Sequence, residues 1–218
     1  MKKPKRALFL LPVIVLLASC FGVDADIALN ADGSGIVALE YRVSQSLDAL
    51  GRLDGNARWH TIPVGRADFE RTMDRLPDMR LVSFSSRQDA RDIIVSARLE
   101  FSSIQGLLAF LDASGGRSSF AGNAASGRMV LTLSEGAEVS NPDLAALLAV
   151  ISEGYAVRMG MNFPATSAGS LALSDSQGRP LAAVPGGEIQ AEGRRVSFSF
   201  PLYEVLTAAG GMIAEFRW

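Results

Sequence analysis

DIIVSARLEF, residues 92–101, is the stretch that decides the fold, because apolar and polar side chains alternate along most of its length. Successive side chains of a β-strand point to opposite faces, so a period of two indicates a strand with one buried face. Residues 36–43 repeat this pattern. Shorter segments of the same kind predict further strands at 25–30, 80–86, 128–134, 155–163, 170–174, 194–200 and 212–217.

The connections between these segments favour antiparallel pairing. The glycine-containing stretch at 31–35 predicts a hairpin loop between the first two strands, because glycine adopts positive φ at little cost. Residues 86–90 are predicted to join the next pair of strands in the same way. The dipeptide Glu192-Gly193 predicts a tight reversal before the strand at 194–200.

Helical periodicity separates these strand pairs. Apolar side chains three and four residues apart predict helices over 67–76 and 103–111. A third helix is predicted from Asn141, its N-cap, to Gly154, and a short fourth helix follows Pro201. We therefore predict an α+β fold, with a mainly antiparallel, curled sheet built from hairpins and three to four helices packed on one face.

The first 19 residues have the pattern of a bacterial signal peptide. Residues 2–6 carry four basic side chains and no acidic one, and residues 7–17 are apolar with a single proline. This apolar stretch suits a signal peptide and is too short to span a membrane. The segment that follows the apolar stretch, Leu17-Ala18-Ser19-Cys20, resembles a lipobox. This resemblance implies a diacylglycerol on Cys20 and cleavage before it. The alternatives are an ordinary signal peptide, with Cys20 as a free thiol, and an uncleaved anchor.

We expect residues 20–218 to form a single α+β domain in the cell envelope. The lipid on Cys20 would attach this domain to a membrane, with the protein facing the periplasm or the exterior. Residues 113–127 are rich in glycine, serine and alanine. This composition predicts a flexible loop, or a seam between two subdomains.

Composition excludes several classes of function. The leader holds four of the 21 basic residues, which leaves 17 arginines against 23 acidic side chains, a net charge of −6. Nucleic-acid binding requires clustered positive charge, so we expect no nucleic-acid partner. Cys20 and His60 are the single cysteine and histidine, and every lysine lies in the leader. We therefore expect no enzyme, no cofactor and no metal site.

The apolar strands supply a candidate ligand site. Methionine is flexible and accepts varied apolar partners, and it alternates with other apolar residues along 155–163. We predict that a cavity between sheet and helices binds a hydrophobic or lipid-like ligand. Its lining would be Met159, Met161, Phe163, Phe198 and Phe200. The alternative is that these side chains form an ordinary, filled core.

Two short motifs resemble the LppM domain of bacterial lipoproteins. One is Asn162-Phe163-Pro164, followed by the strand pattern of residues 187–198, and the other is the first hairpin at 25–35. The resemblance implies an envelope lipoprotein of α+β fold that binds hydrophobic or lipid-like molecules and has no catalytic residues. The alternative function is a protein–protein interaction module of the envelope without a small-molecule ligand. It predicts an exposed apolar patch or an open sheet edge.

Overall fold

The computed structural model describes residues 21–45, 65–112, 118–136, 139, 141–164 and 168–218. Its strands are β1 (Phe21–Leu29), β2 (Gly35–Ser44), β3 (Met79–Gln88), β4 (Asp92–Phe101), β5 (Ser119–Gly122), β6 (Gly127–Ser134), β7 (Ala156–Asn162), β8 (Ser170–Ser174), β9 (Glu188–Glu192), β10 (Arg195–Pro201) and β11 (Met212–Arg217). Its helices are α1 (Arg66–Met73), α2 (Ile104–Leu111), α3 (Pro142–Ser152) and α4 (Leu202–Thr207). The signal peptide predicted over 1–19, Cys20 and His60 lie outside the described residues.

The strands form two sheets. Seven of them follow the order β3-β4-β2-β1-β7-β10-β9, and four follow the order β5-β6-β11-β8. All neighbouring strands are antiparallel except β1 and β7, which are parallel and place Val23 opposite Val157. The predicted fold class, α+β with mainly antiparallel strands, is confirmed.

The core lies between the two sheets. One row of side chains crosses five strands of the larger sheet in register, and each of them is 0% exposed: Leu99, Val37, Ile27, Met161 and Val196. Met129, Ala214 and Phe216 face this row from the smaller sheet and belong to the same buried cluster. Burying one large apolar side chain stabilises a fold by about 1.5–3 kcal/mol, so this layer holds the domain together.

Local signals in the sequence set the helix starts. The Asn141 side chain accepts hydrogen bonds from the backbone N–H groups of Asp143 and Leu144, at 2.9 and 3.4 Å, and so caps α3. The Ser103 hydroxyl caps α2 by accepting from the N–H of Gly106 at 3.0 Å. Helices α1, α2 and α4 each contribute side chains to the main core, and α3 packs against α4.

The architecture differs from the prediction in its sheets. The apolar face of the larger sheet is covered by a second sheet as well as by helices, where a single curled sheet was expected. Residues 119–122 form β5 within the segment predicted as a loop, of which 113–117 lie outside the described residues. Strand β9 was not predicted, because Ile189 and Ala191 are the two apolar residues among its five and give too short a pattern to identify a strand. All five residues are exposed in the structure.

Candidate functional site

The five residues predicted to contact a ligand lie together between the two sheets. Met159 and Met161 are on β7, and Phe198 and Phe200 are on its antiparallel neighbour β10, with Phe198 directly opposite Met159. Phe163 immediately follows β7. None of the five is more than 9% exposed, and all belong to the main apolar cluster. Sequence periodicity therefore identified residues that the fold brings together.

Aromatic rings from both sheets occupy the space around these five residues. The ring of Phe163 stacks on Trp218, with 5.0 Å between centroids. Phe198 lies 4.7 Å from Phe200 and 6.3 Å from Phe216 of β11. Ring pairs at such separations stabilise a fold by more than the burial of their apolar area alone. A ligand would enter this layer only if these side chains moved aside.

Two open grooves lie on the opposite, polar face of the larger sheet. One has a volume of about 410 Å³ and is lined by Asp24, Asp26, Glu40 and Arg98, among others. The other, of about 210 Å³, includes Arg195. Arg195 donates two hydrogen bonds of 3.0 Å to the carboxylate of Asp26. This ion pair is exposed and contributes little to stability. The larger groove also has an apolar part of its lining, made by Ala38, Leu39, Phe84 and Ala97.

Strand directions bring several segments to one end of the larger sheet. Strands β1, β4 and β7 begin there, while β2 and β10 finish there. We name this the Phe21 end, made by Phe21, Ser44, Asp92, Ala156 and Pro201. Since Cys20 directly precedes β1, a lipid on that residue would be attached at this end.

A buried tyrosine joins the hairpin between β3 and β4 to the end of α3. The Tyr155 hydroxyl donates to Asp92 Oδ1 at 2.6 Å, and both residues are buried. The Arg91 guanidinium lies 4.7 Å from the centre of the Tyr155 ring and donates to the Glu153 carbonyl at 2.9 Å. Burial, with the hydrogen bond to Asp92, raises the pKa of Tyr155 to about 12, so its hydroxyl remains a donor at physiological pH. These contacts fix the last turn of α3 at the Phe21 end.

Helix α3 is apolar on nearly every side, yet half of it is exposed. Leu148 is buried, whereas Leu147 is 50% and Val150 is 68% exposed. Residues three and four apart share one side of a helix. We define the outer face of α3 as its four exposed apolar residues: Ala146, Leu147, Ala149 and Val150. A helix that is hydrophobic all round is normally buried, so this face is unusual for a protein surrounded by water.

In the described ranges, no group of three or more histidine, cysteine, aspartate or glutamate side chains could hold a metal ion. No helix in the same ranges is long and apolar enough to cross a membrane.

Comparison with known proteins gives a structural similarity. No family model and no curated protein matches the chain. The structure is similar to the folded domain of LppM from Mycobacterium tuberculosis, solved by NMR, with a TM-score of 0.45 and 15% sequence identity over 91% of this chain and 90% of that chain. The two sequence motifs resemble the same domain.

Proposed function

We propose that this protein is a bacterial envelope lipoprotein, anchored through acyl chains on Cys20, whose non-catalytic domain faces the periplasm or the exterior and binds a hydrophobic or lipid-like ligand. The basic and apolar leader that ends in Cys20 supports the anchor. One acyl chain holds a protein at a membrane only marginally, whereas two or more hold it stably. Residues 20–218 carry a net charge of −6, which argues against a strongly basic surface that could replace the lipid.

The observation that carries the proposal is the absence of a linker between anchor and domain. Strand β1 begins at Phe21, the residue after Cys20. A lipid on Cys20 would therefore hold the Phe21 end of the larger sheet against the membrane surface. A domain held there can exchange apolar molecules directly with the bilayer.

The composition of the layer between the sheets supports ligand binding. All six methionines after Met1 are buried in the main cluster, at 0–9% exposure: Met73, Met79, Met129, Met159, Met161 and Met212. Methionine has an unbranched, flexible side chain that repacks around new partners. We propose that an apolar chain enters between β7, β10 and the smaller sheet as these side chains rearrange. Its contacts would be Met159, Met161, Phe163, Phe198 and Phe200.

The anchor is tested by the mass of the N-terminal peptide. The full chain is produced in a bacterial host, and its membrane fraction is digested and analysed by mass spectrometry. We expect Cys20 as the first residue, carrying a diacylglyceryl group. The Cys20→Ser variant serves as the control and should leave the membrane fraction. An unmodified Cys20 would contradict the anchor.

Ligand binding is tested by native mass spectrometry of the Cys20→Ser protein purified from cells. We expect a co-purifying lipid mass that is lost on denaturation. Met161→Ile places a stiff, β-branched side chain in the proposed site and should reduce the retained lipid. Met79→Ile makes the same change on β3, outside that site, and should leave it unchanged. A ligand-free mass after incubation with a cell lipid extract would contradict ligand binding but not the anchor.

The alternative function, docking of another envelope protein, calls for an open sheet edge or an exposed apolar patch. Strand β9 is an exposed edge, and Ile189 on it is 45% exposed. Glu188 and Glu192 stand at its two ends, and charged residues on an edge oppose the addition of a further strand. The outer face of α3 is the stronger candidate surface.

A further inference from the structure

We propose that the outer face of α3 docks on the lipid bilayer, with Leu147 and Val150 at the boundary between headgroups and acyl chains. This inference rests on the proposed anchor at Cys20 and adds a second, non-covalent contact with the same membrane. The occupant is the bilayer itself, and a protein partner or another segment of this chain is an outcome that the test can reveal.

Cys20 is close to the end of α3, both along the chain and through the packing at the Phe21 end. Cys20 lies two residues from Gly22, and two residues span at most about 7 Å. Gly22 in turn packs beside Tyr155, since a Cβ added to Gly22 would lie 3.4 Å from the Tyr155 ring. The Glu153 N–H donates to the Val150 carbonyl, and Arg91 holds the Glu153 carbonyl from the neighbouring hairpin. A membrane that holds Cys20 therefore passes close to the last turn of α3.

The composition of α3 suits a position at a membrane surface. Between Asp143 and Glu153, α3 carries no charged side chain, so its outer face can leave water without burying a charge. Eleven residues make a helix about 16 Å long, too short to cross a bilayer and sufficient to lie at its surface. Interfacial helices bury their apolar face about 5–10 Å into the headgroup boundary.

Exposed arginines at the Phe21 end could contact lipid headgroups. Arg42 is 50% and Arg91 is 58% exposed along their side chains, and Arg87 lies on the same hairpin as Arg91. Guanidinium groups bind phosphate oxygens through paired N–H donors. Asp89 lies among these arginines and Glu40 pairs with Arg42, so the surface is mixed in charge and does not repel headgroups as a whole.

The small area of the outer face of α3 favours a tethered membrane over a free protein partner. A stable protein–protein interface buries about 1,200–2,000 Å² in total, far more than four aliphatic side chains of one helix supply. A lipid on Cys20 makes docking of α3 intramolecular, so a small apolar contact suffices at the high effective concentration of the bilayer. The modest size of the outer face therefore fits a membrane that is already attached.

The test uses the full-length, lipidated protein with one added cysteine. Val150→Cys places a thiol on the outer face of α3. Ala31→Cys, the control, places one in the exposed turn after β1, whose nine residues put it about 27 Å beyond the Phe21 end. Cys20 is acylated, so each variant carries one reactive thiol for an environment-sensitive dye. Labelled protein is reconstituted in phosphatidylethanolamine–phosphatidylglycerol vesicles with and without doxyl-labelled lipid, and aqueous iodide is added separately.

We expect doxyl lipid to quench the dye at position 150 and iodide to leave it unquenched, with the reverse at position 31. Quenching by iodide at both positions would place α3 in water and overturn the proposal while the anchor stands. Protection from both quenchers at position 150 would show that protein covers α3, and would also overturn it. An N-terminal mass without lipid would contradict the anchor and this inference together.

Discussion

Helices α2 and α3 are both built almost wholly from apolar residues, yet they contact different surroundings. Helix α2 directly follows β4 and directs Ile104 and Leu107 into the main core, at 5% and 1% exposure. Helix α3 packs on α4 and leaves Leu147 and Val150 at 50% and 68%. Apolar composition therefore predicts that a segment will be covered, and the position of the helix in the fold decides what covers it.

Truncating one leucine on each helix gives the largest expected difference. Leu107→Ala leaves a cavity in the core and should lower the free energy of unfolding by about 3 kcal/mol. Leu147→Ala removes the same atoms from the outer face of α3 and should cost less than about 1 kcal/mol. Both are measured by urea unfolding of the Cys20→Ser protein, which carries no lipid. An equal cost for the two variants would show that protein already covers α3.

Removing a hydrogen bond that attaches α3 to the larger sheet should have the next largest effect on the free energy of unfolding. Tyr155→Phe removes the donor to the buried carboxylate of Asp92, and an unsatisfied buried group costs about 1–3 kcal/mol. We expect this loss in urea unfolding, together with faster amide hydrogen exchange in α3 than in α2. Tyr203→Phe, on α4, is the matched control and should change neither quantity appreciably. Unchanged exchange in α3 after Tyr155→Phe would mean that other contacts position the helix.

Much of the fold could be predicted because most strands have one buried face. The predicted bounds of β4, β8 and β11 agree with the structure, and so does the N-cap Asn141. The parallel pair of β1 and β7 could not be predicted, since Val23 and Val157 meet only in the folded chain. Strands β5 and β9 were missed because one is four residues long and the other has two apolar residues among its five.

The candidate site could be predicted only in part. Alternation placed Met159, Met161 and Phe163 on one face, and the structure places them together. Whether the space beside these side chains is empty or filled depends on Phe216 and Trp218. These two residues lie on β11 of the smaller sheet and directly after it.

On α3, the spacing of apolar residues predicts that Leu147 and Leu148 share the buried side with Leu144 and Ile151. The structure buries Leu148 but leaves Leu147 half exposed. The spacing of apolar residues along α3 does not indicate which side of the helix packs against α4.

The smaller sheet carries charged side chains on its outer surface, unlike the outer face of α3. Glu215 on β11 accepts a hydrogen bond from Arg128 at 2.5 Å and another from Arg217. The bond from Arg128 is the main cause that lowers the pKa of Glu215 from its usual 4.5 to about 2. Glu215→Gln should therefore lower the free energy of unfolding by about 1 kcal/mol at neutral pH.

The pH dependence gives the control for that variant. Because the pKa is lowered in the folded state, the carboxylate stabilises the fold fully above about pH 4.5, and this contribution is lost as the pH falls towards 2. Wild type and Glu215→Gln should thus differ in urea unfolding at pH 7 and converge near pH 2. A difference that is constant across this range would assign the effect to packing and not to charge.

The smallest effect is expected for a tyrosine inside the core layer. Tyr41 is 4% exposed and stacks on Phe69 at 6.3 Å, and its hydroxyl has no hydrogen-bond partner among the described residues. Burial, with the nearby Asp68 carboxylate, raises its pKa. Tyr41→Phe keeps the ring and removes an unpaired polar atom, so it should stabilise the fold by up to about 1 kcal/mol in urea unfolding. Tyr155→Phe makes the same chemical change but is expected to lower the free energy of unfolding. A loss of stability in both variants would instead indicate that the Tyr41 hydroxyl has a hydrogen-bond partner in the part of the chain outside the described residues.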